Sequence, residues 1–192
     1  MGMMYLNKEL VSRLQGVGVN AIGLSGVDGG LLRARRRESM IIIDERGRER
    51  VVDGGYTGKI ESANRDFIMR MLEEGFTPVI APIAMDIKTG GALNVDGDQA
   101  LEVLSTSLMP NFAVILTDVD GVLVNGKVIN RVSAVEAREL FKNPEVRGGM
   151  KRKVYTAAQL ASRGVYSIIS NGVVDRPITS AINGLGTHVV PG

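Results

Sequence analysis

Short apolar runs alternate with segments of helical periodicity along almost the whole chain, and this alternation constrains the fold more than any other feature. The apolar runs are five or six residues long, the length of a buried strand, and they are 19–24, 78–83, 112–116 and 165–169. Apolar residues recur every three or four positions, as on one helix face, in 3–14, 63–74, 98–108, 133–141, 150–161 and 177–182. Strands separated by helices pair mostly in parallel, so the sequence predicts an α/β fold: a three-layer sandwich with a mostly parallel central sheet and helices on both faces.

One segment departs from this alternation. Two runs rich in β-branched residues, 40–43 and 50–52, flank the turn residues 44–47 and predict a β-hairpin. The chain shows no linker, internal repeat or low-complexity tract, and its length suits one domain with a sizeable core. We therefore expect a single domain over residues 1–192, with the segment 33–52 as a protruding hairpin.

Composition narrows the chemistry that the chain can perform. Among its 192 residues there is no cysteine, no tryptophan and one histidine, His188. The lack of cysteine excludes a thiol nucleophile and thiolate metal ligands, and a lone histidine argues against a histidine-based metal site or catalytic triad. Catalysis must therefore depend on Lys, Arg, Asp, Asn and backbone groups, a set that suits phosphate chemistry, and we expect no metal site built from protein ligands.

Charge and hydropathy exclude two classes of partner. The formal net charge is only +2, and four Phe and four Tyr are few for a protein that stacks nucleic-acid bases. No apolar run approaches the length of a membrane span, and the first residues do not resemble a signal peptide. We expect a cytoplasmic protein with neither a nucleic-acid nor a membrane partner.

The third apolar run leads into an acidic turn that contains Asp118 and Asp120. Its Asp-x-Asp-Gly pattern is similar to the nucleophile motif of haloacid-dehalogenase-type phosphatases. Those enzymes need a further acidic pair downstream to hold magnesium, and no such pair follows a strand here. A plain Asp-Gly turn remains open as an interpretation, but a nucleotide-contacting turn is favoured.

A second candidate lies where a predicted helix begins, at Gly148-Gly149-Met150. Three cations, Lys151, Arg152 and Lys153, follow directly. The helix macrodipole favours anions at this end, so the cations are better tolerated if a polyanion binds there. Glycines, backbone N–H groups and a lysine together make a phosphate site, although a solvated basic turn is the alternative.

A third candidate is the loop 90–97, which connects the second apolar run to the next helix. Asn94 can both donate and accept hydrogen bonds and suits an amino-acid-like ligand. Asp98, near the start of the helix, is either an N-terminal cap or the ion-pair partner of a catalytic lysine. An EF-hand interpretation fails because the spacing and the final glutamate are absent.

The three loops together resemble the motifs of the amino acid kinase family, in order and in spacing. The motifs are Gly90-Gly91-x-x-Asn94-Val95-Asp96-Gly97-Asp98-Gln99-Ala100, Thr117-Asp118-Val119-Asp120-Gly121-Val122 and Gly149-Met150-x-x-Lys153. The similarity covers residues 20–190. It is closest to the acetylglutamate kinase branch, and within it to archaeal members whose aminoadipate or glutamate substrate is attached to an acidic amino-group carrier protein.

The resemblance implies a kinase that uses ATP, with Mg²⁺ held mainly through the nucleotide, to convert a side-chain carboxylate into an acyl phosphate. The favoured acceptor is a carrier-linked aminoadipate or glutamate, in lysine or arginine biosynthesis. Free N-acetylglutamate is the alternative acceptor, and a non-catalytic remnant that binds nucleotide or carrier protein is the alternative class. Catalysis in the family rests on positioning and charge neutralisation, without a covalent enzyme intermediate.

The resemblance also implies roles for individual residues. Lys153 corresponds to the lysine that stabilises the transferring phosphoryl group, Asp98 to the aspartate that organises the active-site lysines, and Asn94 to the residue that binds the amino-acid end of the substrate. The residues implied in nucleotide binding are Thr117, Asp118, Val119, Asp120, Gly121, Val122, Leu123 and Arg147. Because family members usually dimerise, we expect a homodimer.

Two departures from the family pattern carry further expectations. The Lys-x-Gly-Gly loop, the Gly-Gly-Gly loop and the substrate-binding arginine that open the family pattern are not found, so the chain is expected to lack the N-terminal segment of the domain and to show little or no kinase activity as written. Lys59 stands where bacterial members tend to be acidic. With Arg33 and residues 35–37 it would form a cationic rim suited to an acidic protein partner, although an exposed basic hairpin is the alternative.

Overall fold

Sheets built around parallel strand pairs form the core of the chain, which confirms the predicted mixed α/β class. The computed structural model describes residues 2–44 and 47–192. They divide into two compact units, a first that ends at Val103 and a second from Leu104 to Gly192. The single domain over 1–192 stays a prediction.

The first unit is organised around one long central strand. Its elements, in chain order, are α1 (Gly2–Gly16), β1 (Ala21–Gly26), β2 (Leu32–Arg36), β3 (Ser39–Ile43), β4 (Glu49–Asp53), β5 (Gly58–Ala63), α2 (Arg65–Glu73), β6 (Thr77–Asp86), β7 (Ala92–Asn94) and α3 (Gly97–Leu108), which runs past the unit boundary. Strand β6 pairs in parallel with β1 and β2 and antiparallel with β7, and β5 pairs antiparallel with β2. Strand β7 and the start of α3 therefore follow one end of β6.

The predicted protrusion over 33–52 is wrong in its first part, because β2 belongs to the sheet. Leu32 and Ala34 are fully buried while Arg33 and Arg35 are exposed, so this basic run alternates as a strand with one covered face. The hairpin of β3 and β4 is confirmed as a separate two-stranded sheet, with Ile41 opposite Val51. Turn residues 45 and 46 lie outside the described residues.

The second unit contains a four-stranded sheet with two parallel pairs. Its elements are β8 (Phe112–Thr117), β9 (Leu123–Val124), β10 (Lys127–Val128), β11 (Arg131–Ser133), α4 (Ala134–Lys142), α5 (Gly148–Ala161), β12 (Tyr166–Asn171), α6 (Pro177–Ile182) and β13 (Thr187–Val190). The strand order is β11-β13-β12-β8, with β8 parallel to β12 and β11 parallel to β13, whereas β12 and β13 are antiparallel. Parallel β8 and β12 consequently end at the same edge of the sheet.

Helix α5 supplies one side of the second unit's core. Val154, Ala157, Ala158 and Ala161 are buried and follow the spacing of one helical face. The small alanines let the helix lie close to β12, where Ile169 is fully buried. The helix before it begins with the predicted capping box, in which Ser133 and Glu136 bond reciprocally. None of the described helices combines the length and the apolar character that a membrane crossing needs.

Candidate active site

The turn between β6 and β7 is closed by the buried carboxylate of Asp86. Its oxygens accept hydrogen bonds from Thr89 Oγ1 at 2.7 Å and from the backbone N–H of Lys88 at 3.2 Å. The Asp86 N–H donates to Gly91 O at 2.8 Å, and its carbonyl accepts from Gly90 N at 2.9 Å. The hydrogen bond from Thr89, followed by that from Lys88, holds the pKa of Asp86 below its ordinary value.

The lowered pKa of Asp86 should make the stability of this turn sensitive to acid. Because the pKa of Asp86 is lowered only in the folded state, its contribution to stability should be complete above about pH 4 and should disappear as the pH falls through the folded pKa. We expect Asp86→Asn to lower the midpoint of urea unfolding near pH 7, and to lower it less near pH 3 than near pH 7. Asp175→Asn, on an almost fully exposed carboxylate, is the control. A difference that grows as the pH falls would contradict this account.

Asn94 is held at the end of β7 by its backbone and exposes its side chain. It lies opposite Ile83 of β6, and its N–H donates to Tyr56 O at 2.7 Å. Contacts from two sides therefore fix the main chain at this residue. The amide group is presented where a ligand could reach it, as the sequence prediction requires.

The first turn of α3 is capped by Asp96, not by Asp98. The Asp96 carboxylate accepts from Gln99 N at 3.1 Å, and its carbonyl accepts from Ala100 N at 2.9 Å. Gln99 Oε1 in turn accepts from Ile60 N at 3.1 Å, which ties the helix start to β5. Half-buried Asp98 follows inside the first turn, so the interpretation of Asp98 as the cap is wrong.

In the second unit, the turn after β8 is bonded to the end of β12. Thr117 lies opposite Asn171 in the parallel pair, and Thr117 O accepts from Gly172 N at 2.7 Å. Asn171 Nδ2 donates to Asp120 Oδ1 at 2.8 Å, and Thr117 Oγ1 donates to Asp118 Oδ1 at 3.2 Å. The carboxyl ends of parallel strands are where α/β sheets bind ligands, and the acidic turn lies at that edge.

The far side of the same turn is fixed by Thr187 of β13. Its hydroxyl oxygen accepts from Val122 N at 2.8 Å, and Val122 O accepts from Ile129 N at 2.9 Å. Val122 is 1% exposed, so its side chain packs inside the protein. Gly121 has φ +150°, and a Cβ there would lie 2.8 Å from Thr187 Oγ1. The turn can approach β13 this closely only because residue 121 lacks a side chain.

Glycine and cations come together where α5 begins. Arg147 precedes the helix with extended backbone and donates from Nε to Pro144 O. Gly148 has φ +54°, and no neighbouring atom lies within 4 Å of the position of a Cβ. Lys151 Nζ lies 4.7 Å from the ring centroid of Phe141, so this cation is engaged with an aromatic face.

Lys153 is half-buried on α5, within the second turn of the helix. The loop before the helix is tied to the turn between β9 and β10, since Asn125 N donates to Glu145 Oε2 at 2.7 Å. Asn125 and Gly126 both have positive φ, as a tight type I′ hairpin turn requires. The loop that leads into the helix is thus fixed to the β9–β10 turn.

The predicted site residues are distributed over both units. Asn94 and Asp98 flank the Asp96 turn in the first unit. The second unit contains the acidic turn and α5, and therefore Thr117, Asp118, Val119, Asp120, Gly121, Val122, Leu123, Arg147 and Lys153. No three His, Cys, Asp or Glu side chains come together as a metal-binding group within residues 2–44 and 47–192.

Two residues that shape these loops were missed by the sequence analysis. Asn171 contacts the acidic turn, and Asp86 closes the turn before Asn94. The signal for Asn171 was available, because Ser170-Asn171-Gly172 follows a buried strand directly. Asp86 also stands at the end of a strand, β6, but the prediction selected only the Gly-rich motif that follows it.

Comparisons with known proteins show which family this chain belongs to. Residues 2–171 match the model of the amino acid kinase family. A protein of Pyrobaculum calidifontis is 50% identical over 189 residues, which cover 98% of this chain and 70% of the relative. The LysW-aminoadipate/LysW-glutamate kinase of Saccharolobus islandicus is 45% identical over 193 residues, which cover all of this chain and 72% of the relative.

Solved structures share the fold at lower identity. N-acetylglutamate synthase from Neisseria gonorrhoeae superposes with a TM-score of 0.80 at 24% identity, over 98% of this chain and 42% of the synthase. Carbamate kinase from Giardia lamblia superposes with a TM-score of 0.69 at 16% identity, over 97% of this chain and 71% of the kinase. At these identities the likeness concerns the fold alone.

Proposed function

Because this chain belongs to the amino acid kinase family, we propose that it phosphorylates the side-chain carboxylate of an aminoadipate or glutamate attached to an amino-group carrier protein. The observation that carries this proposal is the 45% identity, over the whole chain, to a relative named LysW-aminoadipate/LysW-glutamate kinase. The reaction would use ATP and serve lysine or arginine biosynthesis in the cytoplasm. Free N-acetylglutamate is less favoured, because the relatives' names specify carrier-linked substrates.

The proposed reaction suits a protein with few titratable catalytic groups. A carboxylate oxygen attacks the γ-phosphorus of ATP, the bond to the bridging oxygen breaks, and ADP leaves. The attacking carboxylate is already ionised near neutral pH, so no proton has to be removed from it. A general base such as histidine is therefore unnecessary, and catalysis reduces to positioning and charge neutralisation.

The second unit offers the groups that a nucleotide needs. The open, positive-φ Gly148 leaves space beside the N-terminal N–H groups of a 14-residue helix, where phosphate oxygens are favoured. Lys153 then neutralises charge on the transferring phosphoryl group, and Arg147 contributes further positive charge. The acidic turn, anchored through Asp120 and Val122, contacts the nucleotide. Mg²⁺ enters with the nucleotide and is held mainly by its phosphates.

The first unit offers the groups that the acceptor needs. Asn94 binds the amino-acid end of the substrate through its exposed amide, which can donate and accept. Because Asp96 caps α3, Asp98 is not needed as the cap. Asp98 organises the catalytic lysine side chains. The bonded turn at Asp86 keeps both residues in place.

We place the docking site of the acidic carrier on the exposed face of β2 and β5. Arg35 lies opposite Lys59 in this antiparallel pair, and Arg33 is exposed on the same two-stranded surface. Arg35 donates to Glu61 at 2.8 Å, which offsets one of these charges. The remaining excess of positive charge would attract an acidic protein and orient it during encounter.

The test compares acceptors. Purified chain, and a version extended by the codons that precede it in its gene, is incubated with ATP and Mg²⁺, and acyl phosphate is trapped with hydroxylamine. We expect carrier-linked glutamate or aminoadipate to give at least about tenfold more hydroxamate than free N-acetylglutamate, because docking on the cationic face adds binding energy. For the extended version, equal rates with both acceptors would rule out the carrier requirement, and no product from any acceptor would rule out the kinase.

We further propose a homodimer formed through α1. Met3, Leu6 and Leu10 are exposed apolar side chains spaced along one side of this helix. Asn7, at the border of this row, is buried, and its Nδ2 donates to Val79 O at 2.8 Å. Leu6→Asp should convert the protein to a monomer in sedimentation velocity. Val135→Asp, at a residue 68% exposed on α4, should leave the mass unchanged. A monomeric wild type would refute the proposal.

A further inference from the structure

A cavity of about 340 Å³ lies in the second unit, away from the acidic turn. Its lining includes Phe112 and Tyr166, the first residues of β8 and β12, together with the end of α6. The acidic turn follows the last residue of β8 and is bonded to the last residue of β12. At about 3.3 Å per residue, the length of β8 separates the two places by roughly 17 Å. A molecule in this cavity would not occupy the proposed nucleotide site.

An aromatic row crosses the sheet beneath the cavity. Phe112 and Tyr166 meet edge to face with centroids 5.5 Å apart, and Tyr166 meets the His188 ring in the same way at 5.8 Å. These rings belong to neighbouring strands β8, β12 and β13. Ring edges and faces therefore line part of the cavity and offer apolar contact to the carbon skeleton of a ligand.

The imidazole of His188 is the unexplained group at this site. His188 is 8% exposed, and its Nδ1 lies 3.1 Å from the hydroxyl oxygen of Tyr166. Its Nε2 is buried and has no hydrogen-bond partner within the described part of the chain. A buried polar atom without a partner is costly. Because Nε2 is closed to water, a ligand oxygen reaches it only when the cavity lining moves, and the hydrogen bond gained would favour that movement.

The polar groups around the cavity are cationic or neutral. Arg131 is exposed, lies opposite His188 in the β11–β13 pair, and makes no ion pair with any described residue. The remaining polar lining comes from Asn130 and Asn183, and no carboxylate takes part in it. This set of groups attracts an anion and would disfavour a cationic ligand.

We propose that this cavity binds a small organic carboxylate, with one oxygen on His188 Nε2, the charge paired with Arg131, and the carbon skeleton over Phe112 and Tyr166. In this arrangement the Tyr166 hydroxyl donates to Nδ1, which leaves the proton on Nε2 for the ligand oxygen. The guanidinium and the imidazole supply two directed donors, and a carboxylate can accept from both. The site is independent of the kinase function, and its test needs no turnover.

His188 is the single histidine of the chain, so its imidazole signals in a ¹⁵N–¹H spectrum need no assignment. Protein labelled with ¹⁵N is titrated separately with phenylacetate, citrate and inorganic phosphate at constant pH and ionic strength. We expect at least one carboxylate to give a saturable shift with a millimolar or tighter Kd and the Nε2–H tautomer at saturation. No saturable shift with either carboxylate, or a shift with phosphate alone, would overturn the proposal.

Three variants locate the binding. Arg131→Met should weaken the carboxylate at least tenfold, and Tyr166→Phe should weaken it too, because the tautomer is then no longer selected. Lys127→Met, which removes an exposed cation on β10 outside the cavity, should leave the Kd unchanged. Equal Kd values for Arg131→Met and Lys127→Met, or displacement of the carboxylate by ATP and Mg²⁺, would overturn the assignment to this cavity.

Discussion

Replacing Lys153 with methionine is expected to lower kcat for phosphoryl transfer about 100- to 1,000-fold. Methionine keeps most of the length and the apolar stem of lysine, so packing on the half-buried face of α5 should survive. What it removes is the positive charge proposed to stabilise the transferring group, and a single charge-stabilising group of this kind contributes about 3–4 kcal/mol to the transition state. Both the substitution and its control are made in the extended version of the chain, and trapped acyl phosphate, measured at saturating ATP and acceptor, gives the rate.

Lys151→Met is the matched control for this prediction. Lys151 stands on the same helix two residues earlier, and its ammonium lies over the Phe141 ring. We expect its removal to change kcat by less than about threefold, with a small loss of stability of about 0.5–1 kcal/mol from the cation–π contact. Comparable losses of kcat in the two variants would mean that α5 needs positive charge in general, and the specific role of Lys153 would be rejected.

The second large effect is expected at Gly121, where a valine should both destabilise the protein and abolish nucleotide binding. Its φ of +150° is unfavourable for any residue with a Cβ, and that atom would lie 2.8 Å from Thr187 Oγ1 and 3.0 Å from Val128 Cγ1. The clash would push the acidic turn away from β13 and break the bond from Val122 N to Thr187. We expect a loss of about 2–4 kcal/mol in the free energy of unfolding, measured by urea denaturation.

Gly126→Ala is the control that introduces backbone strain without a clash. Gly126 also has positive φ, at +69°, but nothing lies within 4 Å of its Cβ position. We expect a loss of only about 1 kcal/mol and unchanged ATP affinity by calorimetry. Thr187→Val, which keeps the volume and leaves Val122 N without its acceptor, should weaken ATP binding without backbone strain. Full ATP affinity in Thr187→Val would show that the anchor does not matter for the nucleotide.

The elements with strong local patterns were predictable. The buried strands β8 and β12, the amphipathic helix α5 and the capping box at Ser133 all follow from periodicity or from one short motif. Strands β5 and β13 were missed. The first alternates glycine, lysine, isoleucine and glutamate, and the second is four residues long with a buried threonine and histidine. Both are stabilised by the strands they pair with, which a local pattern does not contain.

The candidate site was also predictable only in part. Its loops were predicted in order because glycines, acids and cations at strand ends and helix starts have local chemical reasons to be there. The capping of α3 by Asp96 was not predicted, although Asp96 and Asp98 are two residues apart. Both stand near the same helix start, and only the observed boundary at Gly97 decides which carboxylate faces the N–H of Gln99.

By itself the sequence determined the α/β class, the order of the chemical loops, and the exclusion of thiol chemistry. Tertiary structure alone decided that β2 joins the sheet, that Val122 is buried against Thr187, and that His188 lies beside Tyr166 at a cavity. The physical reason is the separation of the partners. Periodicity and motifs record the preferences of neighbouring residues, whereas Val122 and Thr187 are 65 positions apart and meet only when the sheet has formed.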